Sequence, residues 1–350
     1  VRTFASAYGF KEKFLKDGTR VFEPDKFAKE PSVGHHPIPI FVHDEVSQYS
    51  DAMKKIVLDK TSMFSKVIFM GDLAQLPPID SSMKKDADSP IFSMDIPEHC
   101  RHTLTEPVRQ KEGNPILELA YMIREEIFGN HNLNRVIMEI LKPKIHESTG
   151  YLILPEANLF DTYIKTENYL SNKIIAFRNI AIESKNETIR NLIFPGTKQK
   201  LIIGDLICLT NNYASQEKPF FKINNSEEFI IKSTQIELIM PKHSIDEIEV
   251  YKGGLEFDNG DLGSVITPTE NGLIEYTTNE RRLRNMAMQN KYLWKDYSEY
   301  VAYFTDYTMG YAINAYRCQG STYENAFIDL NDILKTNPID GSFTNKRKLQ

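Results

Sequence analysis

Residues 38–79, IPIFVHDEVSQYSDAMKKIVLDKTSMFSKVIFMGDLAQLPPI, carry the pattern that decides the fold. Two short apolar runs, Ile38 to Val42 and Val67 to Met70, each stop abruptly at an acidic turn. The first runs into His43-Asp44-Glu45, the second into Gly71-Asp72-Leu73-Ala74-Gln75-Leu76-Pro77-Pro78. Apolar runs without polar alternation suit strands covered on both faces, as in a parallel sheet, although periodicity alone leaves a buried helix segment open. Between them Met53, Ile56 and Val57 fall at helical spacing, and Ser50 or Asp51 is placed to cap that helix with a short acceptor side chain. Strand, helix, strand with a right-handed crossover puts both strand ends on one edge, where open parallel sheets bind ligands. Asp44, Glu45, Asp72 and Gln75 are therefore expected to converge on one crevice. Of two adjacent carboxylates, one can position a hard cation or its water while the other takes a proton from an attacking water. The plainer reading is an Asp-Glu pair that merely solvates a strand end, and the second acidic turn weighs against it.

The 350 residues are enough for two or three domains with proper cores. With 41% hydrophobic and 26% charged residues, the composition is that of a globular chain and excludes a disordered one. A net charge of -6 makes any nucleic-acid surface local rather than global. Cys100, Cys208 and Cys318 are too far apart for a metal-ligand pair or a disulfide framework, so a reducing, cytoplasmic setting is expected. No apolar run is long enough to span a bilayer, and the opening residues lack a signal-peptide pattern, so no membrane partner is expected.

Before the first strand, Val21-Phe22-Glu23 follows Asp17-Gly18-Thr19, which suits a tight hairpin turn. A tip carrying Phe22 offers an aromatic face that can wedge between bases; packing the hairpin against its neighbour is the equal alternative. Further on, Arg109 brings a guanidinium able to neutralise charge on a transferred phosphoryl group, although a lone arginine more commonly makes a surface pair. Ile116, Leu119, Ala120, Ile123 and Ile127 give a helix from Pro115 to Phe128 its apolar side.

A second alternating unit begins near Thr162, after a boundary at Pro143 to Pro155, and has Ile174 to Phe177 as a strand. Asn179 is placed to cap the next helix, and Arg178 stands at the transition, for a phosphate or for a structural pair. Leu206 to Leu209, Phe229 to Ile231 and Gln235 to Ile239 read as strands of a small antiparallel module, with a turn at Asn259-Gly260-Asp261-Leu262-Gly263. Arg281, Arg282, Arg284, Lys291 and Lys295 are interleaved with Tyr292, Trp294 and Tyr297, a mixture that can hold a polynucleotide strand. The plainer alternative is helical surface charge around a packed Trp294. Tyr300 to Phe304 and Ala326 to Leu330 read as returning strands.

The ordered series resembles the superfamily 1 DNA helicases of the RecD-like type, and among them the phage Dda helicase group. It is carried by His43-Asp44-Glu45-Val46-Ser47, Gly71 to Pro78, Leu104-Thr105-Glu106-Pro107-Val108-Arg109-Gln110, Phe177-Arg178-Asn179, Asn259 to Gly263 and Arg317-Cys318-Gln319-Gly320-Ser321-Thr322. Each piece is weak alone, whereas their succession covers nearly the whole chain. The resemblance implies an α/β fold of two RecA-like parallel-sheet motor domains, the first incomplete, with a small β-hairpin pin and an inserted SH3-like β-barrel. The expected divisions are 1–110 with a pin near 10–37, 111–203, the β-rich insert 204–300, and 301–350 returning to the second motor domain.

By the same resemblance, Asp44 holds Mg2+ with ATP, Glu45 activates the hydrolytic water, and Gln75 and Arg109 contact the nucleotide phosphates. Gln319 and Gly320 join the nucleotide site. Thr3, Phe22, Pro77, Ser321 and Thr322 contact single-stranded or fork DNA, and replication proteins are further expected partners. Two departures matter: Phe4-Ala5-Ser6 follows Thr3 where Ile-His-Ser is common, and Tyr316 replaces a frequent histidine. The chain has no Gly-x-x-x-x-Gly-Lys-Ser/Thr loop and no late arginine motif, which reads as truncation at both ends, with weak ATP binding and no autonomous unwinding. The family reading is ATP-driven 5'-3' translocation and duplex unwinding in the complete protein. A nonenzymatic DNA-binding or replication-complex module descended from a helicase is the alternative.

Overall fold

The computed structural model describes residues 3–15, 20–25, 32–33, 36–79, 87–108, 113–129, 133–166, 169–211, 213–214, 222–223, 226–256 and 262–334. The chain divides into two compact units, one of residues 1–11, 22–156 and 330–350, the other of 12–21 and 157–329. Residues 113–156 thus group with the first strands, whereas the sequence reading begins the second lobe at 111.

In the first unit, Thr3 caps the short α1 (Phe4–Ala7), its Oγ1 accepting the Ser6 N–H at 3.3 Å. β1 (Phe10–Phe14) and β2 (Arg20–Pro24), whose residues 12–14 and 20–21 count with the second unit, pair in a two-stranded sheet, and β3 (Ser32–Val33) with β4 (His36–Pro37) make a minimal antiparallel ladder. β5 (Ile40–His43), α2 (Asp51–Lys60) and β6 (Lys66–Phe69) form the expected strand-helix-strand unit. β5 and β6 run parallel, from Ile40 opposite Lys66 to His43 opposite Phe69. Ser50 Oγ accepts the Met53 N–H at 3.4 Å and starts α2, as its short side chain allows.

Coverage of this pair differs from expectation. Phe41, His43, Val67 and Phe69 turn inward, and Val67 and Phe69 pack on a core of Tyr8, Val46, Tyr49, Val57 and Ile91. Ile40, Val42 and Ile68 remain about half exposed on the other face. A single crossover helix covers a single face, so two uniformly apolar strands still alternate in burial.

α3 (Pro115–Phe128) opens with proline at its first position and with Asn114 Oδ1 accepting the Ile116 N–H at 2.9 Å. α4 (Leu133–Ile140) meets α3 through Val136 against Ile123 and Ile127, and the β7 (Lys144–His146) and β8 (Thr149–Tyr151) hairpin follows.

The second unit begins with α5 (Glu156–Lys165), β9 (Lys173–Ala176) and α6 (Asn179–Ile193). α6 starts at Asn179 itself, and Arg178 occupies the cap position without a side-chain cap bond. Then come β10 (Leu206–Leu209), β11 (Tyr213–Ala214), β12 (Lys222–Ile223), β13 (Glu228–Ile230), β14 (Ser233–Ile239), β15 (Ile248–Glu256) and β16 (Leu262–Pro268). α7 (Leu273–Gln289), α8 (Trp294–Val301), β17 (Tyr307–Met309), β18 (Ala312–Asn314), α9 (Ala315–Cys318) and β19 (Ala326–Ile328) complete it; α10 (Leu330–Ile333) belongs to the first unit.

β9 is the centre of a parallel sheet, flanked by β18 and β19, with Ile182 and Ile189 of α6 packed beside Ile174 and Ala176. The expected β-rich insert forms three antiparallel sheets, β13-β10-β17, β11-β12 and β14-β15-β16, among the described residues. Closure into an SH3-like barrel is not among their pairings, and most of the Asn259 to Gly263 turn lies outside the described residues. One expectation is corrected: Tyr300 to Phe304 is no strand. Helix α8 runs through Tyr300 into a turn, because Tyr297, Tyr300, Val301 and Phe304 recur at helical spacing and line one core with Val250, Ile266 and Leu283. The whole is a mixed α/β structure with parallel sheets, compatible with a RecA-like helicase fold.

Candidate functional site

The ends of β5 and β6 are locked together by backbone. The Val46 N–H donates to the Met70 carbonyl at 3.0 Å, and the Met70 N–H donates to the His43 carbonyl at 2.8 Å. A β-carbon on Gly71 would lie 2.9 Å from Val46 Cγ2 and 3.1 Å from the Ser47 nitrogen, so only glycine lets the two turns approach this closely. Asp44-Glu45 and Gly71-Asp72 therefore share one sheet edge, as the strand reading requires. Glu45 holds a left-handed conformation, φ 53° and ψ 41°, a strained state for a residue with a side chain and one that clusters at active sites.

Asp44 is exposed, and its Oδ1 accepts the Glu45 N–H at 2.9 Å. Beneath it His43 is 8% exposed, with Nε2 3.0 Å from the Tyr8 hydroxyl and Nδ1 3.2 Å from the Tyr49 hydroxyl. Its ring also stacks against Phe41 and Phe69. Burial pushes the His43 pKa down, so the ring stays neutral, one nitrogen donating and the other accepting. Burial, with the neighbouring Tyr8 phenol and the Asp44 carboxylate, pushes Tyr49 up to about 12 and keeps its phenol protonated. The strand end is thus braced from below by uncharged hydrogen bonds.

Asp72 is engaged by its own loop and by α3. Its carboxylate accepts the Ala74 N–H at 2.9 Å and lies with both oxygens 2.6 Å from Arg124 Nη1, tying the Gly71 to Pro78 loop to α3. Ala74 sinks into the core beside Ile123, Ile127 and Val136, and the Gln75 N–H donates to the Asp72 carbonyl at 3.1 Å. Gln75 is half-buried on this braced loop, whereas Pro77 is buried and presents no surface to a nucleic acid. Arg109 lies outside the described residues.

Among the described residues no group of three or more His, Cys, Asp or Glu side chains is arranged to hold a metal. Mg2+ commonly takes one or two carboxylates and fills its remaining positions with water and substrate phosphate. An exposed Asp44 carboxylate fits that role.

Thr3 is exposed as the cap of α1. Phe22 is 56% exposed in the middle of β2, three residues into the described strand rather than at a hairpin tip. In the second unit, Gln319 ends α9, Gly320 turns the chain at φ +79°, and the Ser321 N–H donates to the Cys318 carbonyl at 3.1 Å. Thr322 lines a cleft of about 530 Å³ with Ser171, Lys173, Glu228 and Tyr323. Lys173 is 1% exposed there: Nζ donates to both Glu228 carboxylate oxygens at 2.9 Å and to the Gly310 carbonyl.

Tyr8, Tyr49, Arg124 and Lys173 escaped the sequence reading. The tyrosines and Arg124 carry no local signal, whereas a lysine opening the apolar run Lys173-Ile174-Ile175-Ala176 is a visible anomaly.

No family model matches the chain. It is, though, 26% identical over 185 residues to the ATP-dependent DNA helicase dda of Enterobacteria phage T4. That match covers 52% of this chain and 38% of the phage helicase, so the shared stretch is less than half of that relative's length. An uncharacterized protein of Acanthamoeba polyphaga mimivirus is 23% identical over an alignment of 391 residues, covering 95% of this chain and 75% of that protein. These similarities support a helicase-like relationship. No helix among the described residues is long and apolar enough to cross a membrane.

Proposed function

We propose that this chain is a motor segment of an ATP-dependent DNA helicase that translocates 5'-3' on single-stranded DNA and separates duplex at a fork. The observation that carries the reading is the backbone lock between the ends of β5 and β6, which places Asp44-Glu45 beside the Gly71 turn on one parallel-sheet edge. In this reading Glu45 accepts a proton from the water that attacks the terminal phosphate. Asp44 holds the nucleotide's Mg2+, which supplies charge neutralisation on the phosphates. Gln75, on a loop braced by Asp72 and Arg124, reports the phosphate state to α3, and Arg109 contacts the same phosphates.

Thr3 and Phe22 take the strand on the side of the first unit, and Gln319, Gly320, Ser321 and Thr322 join nucleotide and strand in the second. Translocation follows if the two grips hold DNA with different affinity in the two nucleotide states. The test is DNA-stimulated ATP hydrolysis by the complete gene product that carries these residues. Glu45→Gln removes the base and keeps the shape, and a general base is worth about 10²–10⁴-fold in rate. Hydrolysis that stays within about threefold of the parent in Glu45→Gln would remove Glu45 from the role.

A further inference from the structure

Residues 281–297 hold five cations and three aromatic rings, and the fold sorts them by face. Asn279, Leu283 and Ala287 form the buried seam of α7. Arg282 is used inside the unit, its Nη2 donating to the His243 carbonyl and, at 3.3 Å, to Asn279 Oδ1. Trp294 is 7% exposed and meets Tyr297 edge-on at 5.4 Å, while the Tyr297 hydroxyl donates to Glu280 at 3.0 Å. None of these is available to a partner.

The residues left outside are Arg281, Arg284 and Met288 at helical spacing on α7, continued by Lys291, Tyr292 and Lys295 through the short turn into α8. Tyr292 is 78% exposed, with the Lys291 ammonium 5.5 Å from its ring centroid. Three acids of the same helices already have partners. Glu280 accepts from Tyr297, and Asp296 lies 3.9 Å from His243. Glu299 is held by Lys242 and His243, which keep its carboxyl down at about 2, and its other oxygen is 3.8 Å from Lys295.

We propose that this outer face, Arg281, Arg284, Lys291 and Lys295 with Tyr292 among them, binds single-stranded nucleic acid, the cations taking phosphates and Tyr292 stacking on a base. The inference rests on the helicase-like reading and adds to it a strand contact on the β-rich part of the second unit, separate from Thr322. A row of cations alone would suit any polyanion. A solvent-facing ring flanked by cations selects a single strand over a duplex, because only an unpaired base exposes its flat face to the ring.

The probes are a fluorescent dT oligonucleotide and a fluorescent rU oligonucleotide, each of about 20 nucleotides, titrated with the 350-residue chain over a range of salt and read by anisotropy. For single strands each phosphate contact contributes about 0.7 to the slope of log affinity against log salt. Arg281→Gln with Lys291→Gln should therefore flatten that slope by about 1.4. Tyr292→Ala should weaken binding by about fivefold or more at fixed salt. Lys198→Gln, an exposed cation elsewhere on the unit, should change neither, and unchanged melting temperatures establish that the variants are folded. Binding and slope equal to the parent in all variants would overturn this inference while leaving the Glu45 test of the motor untouched. A parent chain that binds neither oligonucleotide would overturn it as well.

Discussion

Replacing Glu228 with glutamine leaves the Lys173 ammonium inside the second unit without its counter-charge. Lys173 is 1% exposed, and besides Glu228 it reaches only the Gly310 carbonyl and, at 5.8 Å, the face of the Tyr323 ring, among its described contacts. Removing one partner of a buried pair costs about 3–5 kcal/mol. Because Glu228 is itself 29% exposed and the Gly310 carbonyl stays in place, the lower end, about 3 kcal/mol, is expected. In a unit of about 150–250 residues each kcal/mol moves the melting temperature by about 2–4 °C, so Glu228→Gln should melt about 6–12 °C below the parent. The assay is thermal unfolding followed by circular dichroism, on Glu228→Gln, Lys173→Met and the double variant. With both replaced, no charge is stranded, and the two losses should fall short of additivity by about 1–3 kcal/mol. Additivity within about 0.5 kcal/mol, or a Glu228→Gln shift under about 2 °C, would refute the buried-pair reasoning.

Two further outcomes follow from the first unit. Gly71→Ala forces a methyl group to within 2.9 Å of Val46 Cγ2 and 3.1 Å of backbone nitrogens, and should cost about 1–3 kcal/mol in chemical denaturation; a cost under about 0.5 kcal/mol would show that the strand ends are not locked. His43 has its pKa lowered by burial, so as pH falls through 6.5 the unfolded chain takes up a proton before the folded one does. Its contribution to stability is complete above that pH and is lost below it. Denaturation at about pH 7.5 and about pH 5.5 should therefore show a steeper acid loss in the parent than in His43→Asn, and equal losses in the two would count against a neutral, buried imidazole.

Much of the fold was legible. The runs at Ile38 to Val42 and Val67 to Met70 announced parallel strands, and Leu206 to Leu209 matched β10 residue for residue, because apolar runs cut off by turn residues are a local signal. Tyr300 to Phe304 misled because a short aromatic stretch fits a strand or a helix, and only the shared core with Leu283 and Ile266 chooses between them. Burial was the second blind spot. Ile40 and Val42 read as doubly covered, yet their face is open among the described residues, since what covers a sheet is set by distant elements.

The candidate site divides the same way. Its acids came from sequence alone: a strand that ends in Asp44-Glu45, with a second ending in Gly71-Asp72, places carboxylates at a sheet edge through backbone geometry that neighbouring residues dictate. That Asp72 is tied up was decided by tertiary structure. Arg124, 52 residues beyond Asp72, takes that carboxylate out of the crevice, and Tyr8, 35 residues before His43, holds the imidazole beneath Asp44. Hydrogen bonds and ion pairs between groups so far apart in the chain leave no periodicity to read, because they form only when packing brings the partners to within a few ångströms of one another.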